Sequence, residues 1–181
     1  MTPEDMKALW ASHCKYEFEL RDVEGALSTM VDDPYLWNIP TLCGGRGQDG
    51  MRRYYRDNFV GTMPADAAIS SVSLTVGDDQ IAEEVILTFT HDREMPWLLP
   101  GIGPTRRQVE IPQLAVVAVR DGKIAHEHIW WDQASVLVQV GLLDPKGLPV
   151  AGIETARKVA DNALPSNGLM TRWAASAGKP I

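Results

Sequence analysis

The chain has 181 residues, of which 45% are hydrophobic and 23% are charged, a composition typical of one globular domain with a sizeable core and an appendage. Its net charge of -7 argues against a nucleic-acid surface, because a protein that neutralises phosphates needs clustered Lys and Arg. Two cysteines, Cys14 and Cys43, are too few for a disulfide framework and indicate reduced thiols in a cytoplasmic protein. No apolar run is long enough to span a membrane, and the charged N-terminus does not read as a signal peptide.

The N-terminal segment predicts two helices before any strand. Thr2 is placed to cap the first helix, with Pro3 in its first turn. An apolar stripe follows at helical spacing, formed by Met6, Leu9, Trp10, Cys14 and Phe18. His13 lies beside this stripe, and we interpret it as a helix-surface or core-edge histidine rather than a ligand. The second helix is predicted over residues 22–31, where Asp32-Asp33-Pro34 should end it.

Two short extended segments lead into a third helix. Residues 35–39 and 41–43 are predicted to be extended, and Pro40 between them favours an edge or a bulge. Gly44 to Gly47 should then turn the chain into a helix over residues 47–60. The side chains that this helix is expected to bury are Met51, Tyr54, Tyr55 and Phe59.

Four strands follow, and they set the fold class. They are predicted over residues 69–76, 80–91, 108–120 and 123–131, with short turns that favour antiparallel neighbours. Helices first and a meander afterwards predict an α+β fold. We expect a curved, mainly antiparallel sheet that wraps around helices as a cone, with a largely apolar interior that could hold a small molecule.

Two further segments carry alternatives that the sequence leaves open. The loop over residues 92–107 contains Trp97-Leu98-Leu99 between prolines, and so apolar a loop should cover something, either as a lid over the pocket mouth or as a dimer contact. The tail, residues 144–181, shows two short helical patterns. We expect it to be an arm that packs on its own core or on a neighbouring subunit.

The strand over residues 123–131 supplies the candidate catalytic residues. Side chains two apart share one face of a strand, so we expect one face to carry Ile124, His126, His128, Trp130 and Asp132. A carboxylate on an apolar wall has its charged form disfavoured and can serve as a proton-transfer acid or base. We therefore predict Asp132 as the catalytic residue, with His128 as its first partner and His126 as its second. The alternative is that Asp132 only caps the following helix.

A metal site competes with this interpretation. His126-x-His128 places two imidazoles on one strand face, and Glu110, Asp132 or His91 could supply a third ligand. The two-histidine spacing alone is weak evidence. We therefore expect no metal and no cofactor.

Several motifs in these segments resemble those of SnoaL-like polyketide cyclases, a branch of the nuclear transport factor 2-like superfamily. They are the turn Asp121-Gly122-Lys123-Ile124, the pair Trp131-Asp132, the tail Gln139-Val140-Gly141-Leu142, and the helix over residues 47–60. The resemblance covers roughly residues 3–143. It implies one cone domain over residues 1–143, an arm over residues 144–181, an essential Asp at position 132, and metal-free chemistry.

The predicted function follows from an apolar cone with acid-base groups. We expect a small-molecule enzyme that performs cyclisation, isomerisation or dehydration next to a carbonyl without a cofactor. Its ligand should be small and hydrophobic or aromatic, in a pocket lined by Trp37, Tyr54, His91, Trp97 and Trp130. One alternative is a non-catalytic ligand-binding or assembly module. Another is a hydrolase that activates a water, with Glu84 or Glu110 beside Asp132.

Assembly is predicted from the apolar strands. Residues on both faces of the last two strands are apolar, and one layer of helices covers only one face of a sheet. We expect a homodimer through the outer face, to which the sequence pattern assigns Ala115, Val117, Val119, Ile129 and Trp131.

Overall fold

The computed structural model describes residues 1–179 and contains five α-helices and six β-strands in that part of the chain. The helices are α1 (Pro3–Cys14), α2 (Val23–Ser28), α3 (Gly47–Asn58), α4 (Gln133–Gln139) and α5 (Glu154–Ala160). The strands are β1 (Met30–Asn38), β2 (Cys43–Arg46), β3 (Ala68–Val76), β4 (Gln80–Thr90), β5 (Gln108–Arg120) and β6 (Lys123–Trp131). Two helices precede the first strand and a meander follows α3, as predicted.

The first helix begins at the predicted cap. The Thr2 side chain accepts a hydrogen bond from the Asp5 amide, and the Asp5 carboxylate accepts one from the Thr2 amide. This reciprocal arrangement satisfies amide groups that a helix start otherwise leaves unpaired. After Cys14, helix α1 continues directly into a π-helical segment, Lys15–Leu20, and we call the two together the N-terminal rod. A π-helical segment is a rare conformation that often marks a functional site.

The segment after the rod departs from the prediction. Helix α2 ends at Ser28, so the helix predicted over residues 22–31 is too long, and Asp32-Asp33-Pro34 lies inside β1 instead of ending a helix. The strand forms there because Val31 and Leu36 are buried and β1 gains two neighbours. Local helix signals are overridden by this pairing.

The six strands form one curved sheet in the order β2-β1-β6-β5-β4-β3. Strands β1 and β6 are parallel, and each other neighbouring pair is antiparallel. Helix α3 covers the inner face with Met51, Tyr54 and Tyr55, which are all buried. The predicted α+β cone with a mainly antiparallel sheet is confirmed.

The two faces of β6 are opposite to the predicted assignment. The inner face carries Glu127 and Trp131, which are 1% and 8% exposed, whereas Trp130 on the outer face is 36% exposed. His126 and His128 lie opposite Tyr35 and Trp37 of β1 in the parallel register, on the outer face. Period-two alternation identified which residues share a face, but both sets contain aromatic residues, so the pattern did not show which set faces the core.

The expected outer surface is therefore also wrong. Ala115, Val117 and Trp131 are buried inside the cone, and Val119 and Ile129 pack against the same core. The opposite set of side chains on β5 and β6 forms the outer face, with Leu114 and Trp130 as its most exposed large apolar members.

The loop after β4 packs its apolar residues into the core. Its base is closed by hydrogen bonds between the His91 amide and the Arg107 carbonyl and between the Arg106 amide and the His91 carbonyl, each 2.9 Å. Trp97, Leu98 and Leu99 are at most 2% exposed. Burial within the chain's own core fits the lid interpretation and leaves Trp97 unavailable for a subunit contact.

The tail begins as a packed segment and ends as an exposed one. Helix α5 is held against α4 by the Ser135 hydroxyl, which lies 3.0 Å from the Thr155 hydroxyl and donates to the carbonyl of Gly152, just before α5, at 2.7 Å. Beyond α5 the described residues are exposed, including Leu164, Leu169, Met170 and Trp173. Packing of this stretch on a neighbouring subunit stays a prediction. Across residues 1–179, no helix has both the length and the apolar character needed to cross a membrane.

We expect a homodimer through the outer face of the sheet, because the described helices leave large apolar side chains exposed there. Leu114 and Trp130 are 43% and 36% exposed there, and changing both to Lys should convert the dimer to a monomer in sedimentation velocity at micromolar concentration. Leu142→Lys is the control, since Leu142 is 51% exposed beyond the end of α4 and belongs to no strand of the sheet. Wild-type protein that sediments as a monomer would contradict the prediction.

Candidate functional site

Asp132 is a helix cap in the structure. Its Oδ1 accepts hydrogen bonds from the amides of Ala134 and Ser135 at 2.9 and 3.2 Å, and the side chain is exposed. The expectation that Asp132 lies on an apolar pocket wall is wrong, because the strand ends at Trp131 and α4 begins immediately after it. Its hydrogen-bonding capacity is directed to the first turn of α4.

The two predicted histidine partners lie on the outer face, away from the cone interior. His126 stacks on Tyr35 with ring centroids 4.7 Å apart, and His128 meets Trp130 edge-on at 5.6 Å. Burial by the neighbouring rings lowers the pKa of His126, and the nearby His128 adds to this. The catalytic role assigned to Asp132, His128 and His126 stays a prediction, and the structure does not bring the three into one pocket.

The predicted pocket-lining residues divide between three places. Tyr54 and Trp97 line the interior cavity, whereas Trp37 and Trp130 lie on the outer face. His91 is buried at the base of the loop, where its Nδ1 accepts a hydrogen bond from the Thr105 amide at 3.2 Å. His91 therefore positions the loop rather than facing the cavity.

The interior of the cone holds a buried group of titratable side chains that the sequence interpretation did not select. It consists of His13, Glu17, Tyr55 and Glu127, which we call the His13 cluster. His13 Nε2 lies 3.2 Å from Glu17 Oε1, 3.2 Å from Glu127 Oε1 and 3.3 Å from the Tyr55 hydroxyl. Each of these side chains is at most 4% exposed. Glu17 Oε1 is at ion-pair distance but accepts no aligned hydrogen bond.

The position of the His13 ring is fixed by its other nitrogen. Nδ1 lies 2.6 Å from the Thr29 hydroxyl, and that hydroxyl donates to the Ala26 carbonyl at 2.6 Å. Since the hydroxyl proton is directed to the carbonyl, Thr29 accepts from Nδ1–H, and Nε2 is the nitrogen directed at the carboxylates. Trp10 stacks on the ring at 5.6 Å and shields it from solvent.

The charges in the cluster follow from burial and from the neighbouring carboxylates. Burial alone would lower the pKa of His13, but Glu17 and Glu127 outweigh it and raise the pKa to about 10, so His13 is an imidazolium at neutral pH. Burial raises the pKa of Glu127, and the His13 charge opposes this rise. Burial also raises the pKa of Tyr55, which therefore keeps its proton.

The cluster borders a small enclosed cavity of about 30 Å³. One water needs roughly 10–15 Å³ by this measure, so the cavity has room for about two waters. Glu17 and Glu127 line one part of it, and Asn38, Tyr54 and Gln113 supply further polar groups. The rest is apolar and aromatic, formed by Phe18, Leu36, Phe59, Leu87, Trp97 and Ile129.

Two cavity-lining side chains have unused donors. Gln113 Nε2 and Trp97 Nε1 are buried and have no hydrogen-bond partner in the described part of the chain. Tyr54 accepts a hydrogen bond from Asn38 Nδ2, which leaves the phenol proton of Tyr54 to donate. A buried donor without a partner is costly, so these groups point to a ligand or water that accepts from them.

A larger groove, of about 740 Å³, lies between α4, α5 and the exposed tail. Its charged residues are engaged locally, since Glu154 accepts from the Gly152 amide and Lys158 donates to the carbonyls of Asn162 and Leu164. The groove is open to solvent and has no cluster of titratable groups. We therefore place the candidate site at the His13 cluster.

The sequence contains two local signals for this site. His13 and Glu17 are four residues apart, and Glu17 interrupts the apolar stripe between Cys14 and Phe18. Glu127 alternates with Ile129 and Trp131, which makes it a carboxylate among apolar residues of one strand face. Interpreting His13 as a helix-surface or core-edge residue was wrong, because the ring is fully buried.

Comparison with known proteins identifies relatives of this fold. A family model described as a SnoaL-like domain matches residues 3–127, a span that contains His13, Glu17 and Glu127. No curated protein matches the chain.

Solved structures match over most of the chain. TsrD from Streptomyces laurentii has a TM-score of 0.63 at 17% identity, covering 79% of this chain and 99% of its own. A Jannaschia sp. CCS1 protein provisionally described as a SnoaL-like polyketide cyclase has a TM-score of 0.60 at 15% identity, covering 78% and 92%. SalBIII, described as an epoxide hydrolase/cyclase-like enzyme in pyran ring formation in salinomycin, has a TM-score of 0.52 at 17% identity, covering 71% and 90%. Identities this low show the fold alone, and they confirm the predicted nuclear transport factor 2-like fold.

We expect the stability of the protein to fall as the pH rises above neutrality. The pKa of His13 is raised from 6.5 to about 10 in the folded state, so its stabilising proton is fully present below pH 6.5 and lost as the pH rises toward 10. The raised pKa of Glu127 acts in the same direction. The free energy of unfolding in urea should decrease by up to about 1.4 kcal/mol per pH unit over this window. A His13→Gln variant should be less stable but have a flatter profile, and a wild-type slope no steeper than the variant's would contradict the prediction.

Proposed function

The chain belongs to the family of SnoaL-like domains, and we propose that it is a small-molecule enzyme performing cofactor-independent acid-base chemistry next to a carbonyl. The reaction class is cyclisation, isomerisation or dehydration. The observation that carries the proposal is the buried contact of His13 with Glu17 and Glu127 beside a cavity lined by unpaired donors.

Glu127 is the proposed general base. It lines the cavity, and burial raises its pKa, which brings the carboxylate closer to the value at which a base is most effective near neutral pH. The His13 imidazolium, 3.2 Å away, opposes this rise and favours the ionised form of Glu127. In the proposed step a C–H bond next to the substrate carbonyl breaks and Glu127 takes the proton. The electron pair moves to the carbonyl oxygen as an enolate.

The unpaired donors fit the second half of that step. Gln113 Nε2, Trp97 Nε1 and the Tyr54 hydroxyl can donate to an oxygen that gains negative charge. Each lies in a water-poor, largely aromatic cavity, where a preorganised donor stabilises an oxyanion more than water does. The same aromatic walls suit a flat hydrophobic substrate.

Substrate entry requires the site to open. A cavity with room for about two waters does not admit a cyclic ketone, so the substrate requires movement of the Trp97 loop. The loop is held by reversible contacts, since Thr41 donates to the Trp97 carbonyl at 2.7 Å and Gln133 donates to the Leu98 carbonyl at 3.0 Å. Substrate binding should therefore change the environment of Trp97.

One observation favours a second candidate, a hydrolase that activates a water. The closed cavity has room for about two waters, and two carboxylates line it. In that reaction Glu127 would remove a proton from water while an epoxide or ester is attacked. Hydrolysis in ¹⁸O-labelled water would place the label in the product, whereas isomerisation would not.

The proposed function is tested by deuterium exchange into cyclic ketones of increasing size, such as 2-indanone and 2-tetralone. Binding is established first by the change in tryptophan fluorescence, with Trp97→Phe as the reference. Ketones that bind should exchange their α-hydrogens, and Glu127→Gln should lower the rate by roughly 10²- to 10⁴-fold because the amide cannot accept the proton. NMR of the ketone in D₂O measures the exchange.

Asp132→Asn is the matched control, because Asn caps a helix about as well as Asp and the residue lies outside the cavity. It should leave the exchange rate and melting temperature nearly unchanged. A bound ketone without enzyme-dependent exchange contradicts the proposal. A folded Glu127→Gln variant with the wild-type rate would exclude Glu127 as the base, and loss of exchange in Asp132→Asn would return the catalytic role to Asp132.

A further inference from the structure

We propose that His13, Glu17 and Glu127 form a binding site for a divalent transition-metal ion of the Zn²⁺ class. Metal binding itself does not depend on the proposed function. Its expected consequence, arrest of proton transfer at Glu127, rests on that function.

The spacing of the ligand atoms fits a tetrahedral metal site. His13 Nε2 is 3.2 Å from Glu17 Oε1 and 3.2 Å from Glu127 Oε1, and the three atoms lie within 4.8 Å of one another. In a tetrahedral site with bonds of roughly 2.0–2.1 Å, neighbouring ligand atoms are about 3.3 Å apart. Both carboxylate oxygens therefore already lie at nearly the separation from Nε2 that such an ion requires.

The other nitrogen of His13, Nδ1, has the kind of partner that a metal-binding histidine needs. A metal-binding imidazole donates its second N–H to an acceptor that fixes the ring. The Thr29 hydroxyl occupies this position, 2.6 Å from Nδ1, and its own proton is directed to the Ala26 carbonyl. When Nε2 is unprotonated, its lone pair therefore points at the two carboxylates.

The net charge of the cluster favours a divalent ion. With His13 protonated and both carboxylates ionised, the buried cluster carries one negative charge in excess, which is costly in a dry interior. Glu17 Oε1 is also fully buried with no aligned hydrogen-bond donor. Replacing the one proton by a divalent ion makes the cluster neutral and gives Glu17 Oε1 a bond.

The fourth coordination position is available from two sources. The Tyr55 hydroxyl lies 3.3 Å from His13 Nε2 and 3.4 Å from Glu127 Oε1. The adjacent cavity can alternatively supply a water, because it has room for about two. Since the Trp97 loop covers this cavity, we expect the ion to bind slowly.

The exchange is balanced without a redox partner. The N–H bond at Nε2 breaks, the proton leaves to water, and a metal–nitrogen bond forms while both carboxylates stay ionised. The charged or titratable groups around Nε2 are Glu17 of the π-helical segment, Glu127 of β6 and Tyr55 of α3. Cys14 is nearby, and its pKa is raised by burial, so it keeps its proton. Glu83 of β4 is engaged by Trp10 Nε1.

The test uses full-length, metal-depleted protein titrated with Co²⁺, whose visible absorption reports coordination number, followed by displacement with Zn²⁺. We expect one ion per chain with the intense absorption of four-coordinate Co²⁺. His13→Asn and Glu17→Gln should each abolish that absorption. Thr29→Val should weaken binding by roughly 10- to 100-fold, the usual cost of losing the outer partner of a metal-binding histidine. His128→Asn, on the outer face, is the control.

Three results would overturn the proposal: no stoichiometric binding, a six-coordinate spectrum, or binding that survives Glu17→Gln and Thr29→Val but is lost in His128→Asn. These two variants keep the test decisive if His13→Asn fails to fold. Zn²⁺ should also stop deuterium exchange in the ketone assay. A four-coordinate Co²⁺ spectrum without any exchange activity would support the metal site and contradict the proposed function, so the two can fail separately.

Discussion

The arrangement on which the structure depends is an imidazolium held between two carboxylates inside an apolar cone. Burial alone would remove the charge from His13, and only the adjacent Glu17 and Glu127 keep it. Removing one partner of such a group leaves an uncompensated buried charge, which typically costs about 3–5 kcal/mol. Three elements must therefore meet correctly: the N-terminal rod that carries His13 and Glu17, helix α3 with Tyr55, and strand β6 with Glu127.

The same contact links fold and function. A cluster with one excess negative charge can become neutral by taking a second proton or by exchanging its proton for a divalent ion. Each route changes the charge at Glu127, which lines the cavity beneath the Trp97 loop. The proposed base and the proposed metal site both follow from the excess negative charge of this buried cluster. Closure of the loop keeps bulk water out, which raises the cost of burying that charge.

The sequence was sufficient for the architecture and insufficient for the site. The bounds of β5 and β6 agree with prediction, because their alternation and the Asp121-Gly122 turn are local signals. The orientation of β6 is not a local property. His126 and Trp130 look as suitable for an interior as Glu127 and Trp131, and the choice is made by pairing with β1 and by the helices that cover one face.

Two other features also depended on tertiary structure. The parallel pairing of β1 with β6 joins segments about ninety residues apart, and no turn signal records it. Trp97 lies among prolines and glycines in the sequence, yet it is buried against Phe59 and Trp131 with ring centroids 5.2 and 5.6 Å away. By contrast, Asp132 was correctly recognised as a possible cap from its position before α4, and the structure shows that cap.

The most direct test of this account is an NMR titration of the four histidines in ¹⁵N-labelled protein, with His13 assigned from the His13→Gln variant. We predict that the His13 ring keeps protons on both nitrogens through neutral pH and loses one only near its pKa of about 10. A His13 ring that titrates near its ordinary value of 6.5 would contradict the charged cluster on which the proposed base is built.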